Sequence, residues 1–298
     1  MTDEPSGETT RQLDLLANEE IVELMLRAEE RVVPAVRAAA ASISAAAGLL
    51  AERLVAGGRL ALVGAGTSGR LAVLEAAELP GTFGFPADRV VGVVAGGGRL
   101  SLAGTDYDED DGDSAVRAIA EIGVGPADVV VAVSAGGRTP YTVAAAEEAL
   151  AERASVVAVV NVPGSPLAKL SHIAIVVPVG DEVLRGSTRL TAGTAQKIAL
   201  NALTTTAMIR AGRVHGDLMV DVVAANVKLR ERSTGIVAEI AGCSLPTARA
   251  ALEACSWNAR AAVLHVVAGL TPTQSVERAV THRSLRDLLA RELSHEIR

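Results

Sequence analysis

Two short runs of small and hydroxylated residues have the chemistry of a ligand cradle. The first, Gly64-Ala65-Gly66-Thr67-Ser68-Gly69-Arg70, follows the apolar run Arg59–Val63 and leads into a helical pattern. Glycines let a ligand approach the backbone closely, and the free N–H groups at a helix start favour an anion. In form the run is G-x-G-x-x-G. A dinucleotide site also needs an acid closing the second strand to hold a ribose. That place reads Val94-Ala95-Gly96-Gly97-Gly98, with no acid. No Lys-Ser/Thr pair closes the loop as in a nucleotide-binding P-loop, and Arg70 stands where the hydrolase elbow G-x-S-x-G requires its last glycine. Gly66, Thr67 and Ser68 therefore suit a small phosphorylated or hydroxylated ligand. The second run is Ser134-Ala135-Gly136-Gly137-Arg138-Thr139-Pro140-Tyr141, where Thr139 can cap a helix that Pro140 opens. Either run alone would pass for an ordinary turn; two of like chemistry at strand ends favour a site.

Carboxylates come next. Glu75 and Glu78 lie three apart on the helix after the first run, and each alone reads as a solvated helix charge. Leu79-Pro80-Gly81-Thr82 is expected to end that helix directly after Glu78, turning its side chain towards a cleft. The acidic run Asp106-Tyr107-Asp108-Glu109-Asp110-Asp111-Gly112-Asp113 fails as a calcium loop, because Asp111 sits at the glycine position and Arg117 at the closing Glu. His172, His215, His265, His282 and His295 show no metal-binding spacing, so no metal and no cofactor are expected.

The elements that must position these residues read clearly. Of 298 residues 49% are apolar but only 2% aromatic, so the core is Ala, Val, Leu and Ile, and stacking on aromatic rings is excluded as the main mode of recognition. Val-rich runs at Arg59–Val63, Val90–Val94, Val129–Val133, Val156–Val160 and Ile173–Val177 alternate with helical patterns at 68–78, 113–122 and 139–153. That alternation predicts an α/β fold with a doubly wound parallel sheet, which binds ligands at the carboxyl ends of its strands. Helices are expected at 18–30 and 34–56 before the sheet, and at 190–211 and 218–230 after it. Beyond Arg232 the strands stop, and three short helical patterns follow Gly242. The expected organisation is a loosely held segment at 1–17, a sheet domain at 18–232 and a small helical unit at 233–298. The net charge of −7, with no basic run, argues against a nucleic-acid partner. No apolar stretch of membrane-spanning length and no signal peptide is evident. With Cys243 and Cys255 read as buried thiols, the expected location is the cytoplasm.

Over roughly residues 12–290 the chain resembles the N-acetylmuramic acid 6-phosphate etherases, a family with the sugar-isomerase (SIS) fold. The resemblance is carried by the stretches 64–71, 78–84, 137–141, 186–189, 192–197, 218–221 and 226–229, which include Glu78-Leu79-Pro80-Gly81-Thr82-Phe83-Gly84 and Ala192-Gly193-Thr194-Ala195-Gln196-Lys197. It implies an SIS-type sheet, a homodimer and a phosphorylated amino sugar as ligand. The implied reaction is cleavage of a D-lactyl ether by elimination and hydration. The sugar opens to its aldehyde, a base removes the acidified C2 proton, an acid protonates the ether oxygen, and water adds to the unsaturated intermediate. The family's proton donor falls on Glu78 and its second catalytic acid on Asp106, with Glu109 on the motif's next acid. Gly66, Thr67, Ser68, Ser134, Arg138 and Thr139 become the expected ligand-binding residues.

The sequence departs from the family pattern at three places: Asp106 replaces a Glu, Gly136 a Ser and Thr191 a Lys. The Asp is one methylene shorter, about 1–1.5 Å, and a misplacement of that size can cost around 100-fold in rate. A non-catalytic sugar-phosphate sensor on the same fold is the alternative reading.

Overall fold

The computed structural model describes residues 12–97, 108–281 and 284–295. Asp106 lies outside the described residues. Five strands, β1 (Leu60–Gly64), β2 (Val90–Val94), β3 (Val129–Ser134), β4 (Ser155–Val160) and β5 (Ile173–Val176), form a wholly parallel sheet in the order β2-β1-β3-β4-β5. Every residue of β1, β3 and β4 is buried, which is why they read as unbroken apolar runs. Around the sheet lie α1 (Asn18–Glu29), α2 (Val32–Ala38), α3 (Ala40–Val55), α4 (Gly66–Phe83), α5 (Gly112–Ile122), α6 (Pro140–Ala151), α7 (Pro166–Leu170) and α8 (Thr191–Arg210).

Alternate strand residues serve two cores, as the pleat requires. Leu60 and Leu62 pack with α2, α3, α4 and α8 on one face, while Ala61 and Val63 pack with α5, α6 and α7 on the other. The chain leaves β1 through α4 towards β2 and returns through α5 to β3. The strand order therefore reverses between β1 and β3, and their carboxyl ends flank the switch point at which such sheets bind ligands.

A third core is formed by α9 (Val227–Ala241), α10 (Leu245–Ala254), α11 (Ala259–Val267), α12 (Pro272–Thr281) and α13 (Leu285–His295). It takes in Val220 and Val222 from the preceding segment, and α9 runs straight through position 232.

Four details differ from the sequence reading. The helix expected at 34–56 is broken at Ala39, where the segment Asn18–Ala38 meets α3 at a bend of 58° and the Ala39 carbonyl accepts from the Ser42 hydroxyl. The helix expected to stop after Glu78 continues through Pro80 to Phe83. Leu79 and Phe83, both buried, hold the extra turn onto the core, and Gly84 stops it with φ +56. Residues 218–226 are irregular rather than helical, and helix α9 starts only at Val227, capped by the Asn226 side chain. Four helices, not three, follow Gly242 among the described residues.

At the amino end of the sheet, Asp128 ties β1 to β3. Its carboxylate accepts from the Arg59 backbone N–H at 2.7 Å, the Arg59 guanidinium at 2.8 Å and the Gly125 N–H at 2.9 Å. Burial alone would raise its pKa, but the hydrogen bonds from Arg59 and Gly125 outweigh that and hold it below the ordinary value. A lowered folded-state pKa stabilises the fold above the ordinary carboxylate range, and the contribution fades as pH falls through that range. Asp128→Asn is expected to cost about 1–3 kcal/mol at neutral pH. Urea unfolding midpoints should also depend less on pH below about 5 in the variant than in the parent.

Candidate active site

The first loop is a place of close backbone packing. A Cβ on Gly64 would lie 2.8 Å from the Val133 carbonyl oxygen, so β1 and β3 can meet there only with glycine. Gly66 opens α4 with φ +51, and a Cβ there would lie 2.5 Å from Oε1 of Glu109. The carboxylate of Glu109 thus leans over the amino end of α4, where the helix favours negative charge. Its neighbour Asp108 sits against Gly96, at the end of β2. Tyr141, buried at the start of α6, has its phenol pKa raised by burial, with Asp111 and Asp108 adding to the shift. The turn Asp108–Asp110 is therefore placed among the ends of β1 and β2 and the start of α6.

Thr67 and Ser68 play different parts. Thr67 is half-buried, with its methyl facing Gly193 of α8. Ser68 is buried, and its hydroxyl donates to Gln196 Oε1 at 2.9 Å. The Gln196 amide donates to Asn161 Oδ1 at 3.1 Å, and the Asn161 amide donates to the Val177 carbonyl at 2.8 Å. This chain pins the α4 start to α8 and to the ends of β4 and β5. Burial gives the polar atoms along it strong geometric control.

In the second loop Ser134 ends β3 and accepts from the Gly137 N–H at 3.1 Å, with Thr139 Oγ1 at 3.0 Å. Thr139 occupies the cap position of α6, but its hydroxyl goes to Ser134 rather than to the helix backbone. Gly137, at φ +62, passes so close to Ser165 that a Cβ would meet its hydroxyl. Arg138 is exposed beside these hydroxyls. Gly66, Thr67 and Ser68, in the first turn of α4, and Ser134, Arg138 and Thr139, at and after the end of β3, therefore flank the switch point.

Glu78 stands apart from them. It is exposed, twelve residues along α4 from Gly66, a rise of about 18 Å. One chain does not bring Glu78 to the loops. Glu75, read as a solvated charge, is instead 4% exposed. It accepts from Lys197 Nζ at 2.6 Å and from the Thr204 hydroxyl at 2.5 Å. Glu182 escaped the sequence reading altogether. Its carboxylate caps α8, accepting from the Thr191 N–H and hydroxyl at 3.0 and 2.6 Å and from the Ala192 N–H at 2.9 Å.

Comparison with known proteins decides the family. A model of the glucokinase regulatory protein N-terminal SIS domain matches residues 42–150, and an SIS domain model matches 122–206. N-acetylmuramic acid 6-phosphate etherase of Rubrobacter xylanophilus is 44% identical over 90% of this chain and 89% of its own length. That of Symbiobacterium thermophilum is 45% identical over 87% of this chain and 86% of its own. The chain belongs to the N-acetylmuramic acid 6-phosphate etherase family. Among solved structures, phosphoheptose isomerase of Neisseria gonorrhoeae shares the fold at 17% identity, with a TM-score of 0.50 over 63% of this chain and 96% of its own.

Against the family pattern, the departure at Gly136 has no steric cause: a Cβ there would meet nothing within 4 Å. Thr191, which the resemblance pairs with a Lys, is 1% exposed and is held by Glu182, so here it belongs to the cap of α8.

Proposed function

We propose that the protein cleaves the D-lactyl ether of N-acetylmuramic acid 6-phosphate without a cofactor, giving N-acetylglucosamine 6-phosphate and D-lactate. The observation that carries this reading is kinship with etherases over nine-tenths of the chain. The two loops add the binding chemistry. The backbone at Gly66 and the side chains of Thr67, Ser134, Arg138 and Thr139 would hold the phosphate and hydroxyls, while Ser68 fastens the loop to α8. The curated relatives named above are etherases, which favours the enzyme over the sensor reading.

In the reaction, a base takes the C2 proton of the open-chain aldehyde, and the electron pair forms the C2–C3 double bond as the C3–O bond breaks. Glu78 supplies the proton to the departing ether oxygen, and water then adds at C3. Asp106 is our first choice for the base. The placement of Glu109 over Gly66 favours it as the second choice. The roughly 18 Å from the loops to Glu78 is longer than a monosaccharide phosphate. A Glu78 that reaches a sugar held on these loops therefore comes from a second copy of the chain, and we propose a homodimer with shared sites. The two thiols, Cys243 and Cys255, are both free, which suits a cytoplasmic setting.

The deciding experiment incubates the purified protein with N-acetylmuramic acid 6-phosphate in deuterated water and follows D-lactate release and deuterium at C2. Binding without either product would overturn the etherase reading in favour of a sensor. The same assay separates the two bases. Asp106→Asn is expected to lose both exchange and lactate release by about 100-fold or more, and Asp106→Glu to raise turnover. Loss of exchange in Glu109→Gln, with Asp106→Asn unaffected, would move the role to Glu109.

A further inference from the structure

We infer that the C-terminal helices set the position of the Glu78 end of α4, with Asp221 and Arg260 as positioning residues. This rests on the reading of Glu78 as the proton donor and gives the helical unit a part in that chemistry. The link is the segment from Val220 to Val223. Val220 and Val222 are buried in the helical core with Ile236, Val237 and Leu264. Between them, the Asp221 carboxylate takes a two-pronged grip from Arg260 on α11, Nε to Oδ1 and Nη2 to Oδ2, both at 2.5 Å. Arg260 is only 5% exposed and also donates to the Gly212 carbonyl at 2.6 Å. Paired, planar hydrogen bonds of this kind fix orientation as well as distance.

The other side of the same segment props the end of α4. The Val223 N–H donates to the Gly81 carbonyl at 3.2 Å. The Asp221 carbonyl oxygen lies where a Cβ on Gly84 would be 2.5 Å away, so the chain closes on the helix end with no room for a side chain. Arg213 reaches Asp221 Oδ2 at 3.4 Å and lies over the Phe85 ring, 5.8 Å from its centre. These contacts fall on residues 81–85, just past Glu78. Pro80 lacks the N–H that would have tied this turn to the one before it. The last turn of α4 therefore takes part of its hold from outside, and Arg260 fixes the segment that supplies it. Glu78 is exposed, so its aim depends on the backbone that carries it.

The test compares Arg260→Lys and Asp221→Asn with the parent in steady-state lactate release. Lysine keeps the charge but loses the fork. We expect kcat to fall about tenfold or more, with KM for N-acetylmuramic acid 6-phosphate within about twofold, because the substrate loops are untouched. The double variant Asp221→Leu/Arg260→Met removes both charges from a buried site, and should stay folded where Arg260→Met alone is strained. Its kcat should be as low as that of the single variants. In a Glu78→Gln background, Arg260→Lys should add no further loss. Unchanged kcat in a folded Arg260→Lys protein would overturn the proposal, as would a further loss in the Glu78→Gln background. Full activity of Glu78→Gln by itself would instead refute the proton-donor reading, and the positioning role with it.

Discussion

Glu78→Gln is expected to slow lactate release by about 1,000- to 10,000-fold, the upper part of the range for losing a general acid at a poor leaving group. Glutamine keeps the shape and a hydrogen bond but has no proton to give. Substrate affinity should hold, since the expected binding groups lie on the loops after β1 and β3, about 18 Å along α4. A second arm tests where the glutamate acts. Mixing Glu78→Gln with a loop-disabled protein such as Ser134→Ala/Arg138→Ala, each inactive alone, should restore about a quarter of the parental rate. Random pairing makes about half the dimers mixed, and each mixed dimer has one intact site of its two. No recovery on mixing, with proven exchange of subunits, would mean that each chain builds its own site.

Loss of Lys197 should have the largest effect on stability. Glu75 is buried and its partners both lie on α8, so Lys197→Met leaves a carboxylate among apolar side chains with only Thr204 to bond. The expected cost is about 3–5 kcal/mol in urea unfolding. The reverse change, Glu75→Gln, should cost less, because the Lys197 side chain is 30% exposed and can turn to water. Removing both charges together in Glu75→Leu/Lys197→Met should recover much of the loss. A double variant as unstable as Lys197→Met would show that packing at the α4–α8 contact, rather than the unpaired charge, sets the cost.

The sheet was legible because its central strands are buried on both sides and carry polar residues only at their ends, Ser134 closing β3 and Ser155 opening β4, so the apolar runs stay unbroken. The runs at 90–94 and 129–133 were placed within one residue of the strands β2 and β3. The two loops were legible for the same local reason: glycine and hydroxyl residues directly after a strand. What escaped depends on pairings across the chain. Glu75 and Glu78 look alike along the helix, yet one meets Lys197, 122 positions away, and the other meets solvent. Glu182 caps α8 from an irregular segment with no periodicity to mark it. Pro80 reads as a helix stop on local grounds, and only the burial of Leu79 and Phe83 shows why the helix outlasts it.

The irregular segment from Val220 to Val223 has a consequence for how such a protein can change over time. Its alternate residues belong to two bodies at once: Val220 and Val222 to the helical core, the Asp221 carbonyl and the Val223 N–H to the end of α4. The helical unit is therefore no cassette to be shed or traded for another. A replacement would have to bring its own cover for two valines and its own arginine for Asp221. Inheritance of the sheet and of the helices is tied together by four residues that lie in neither.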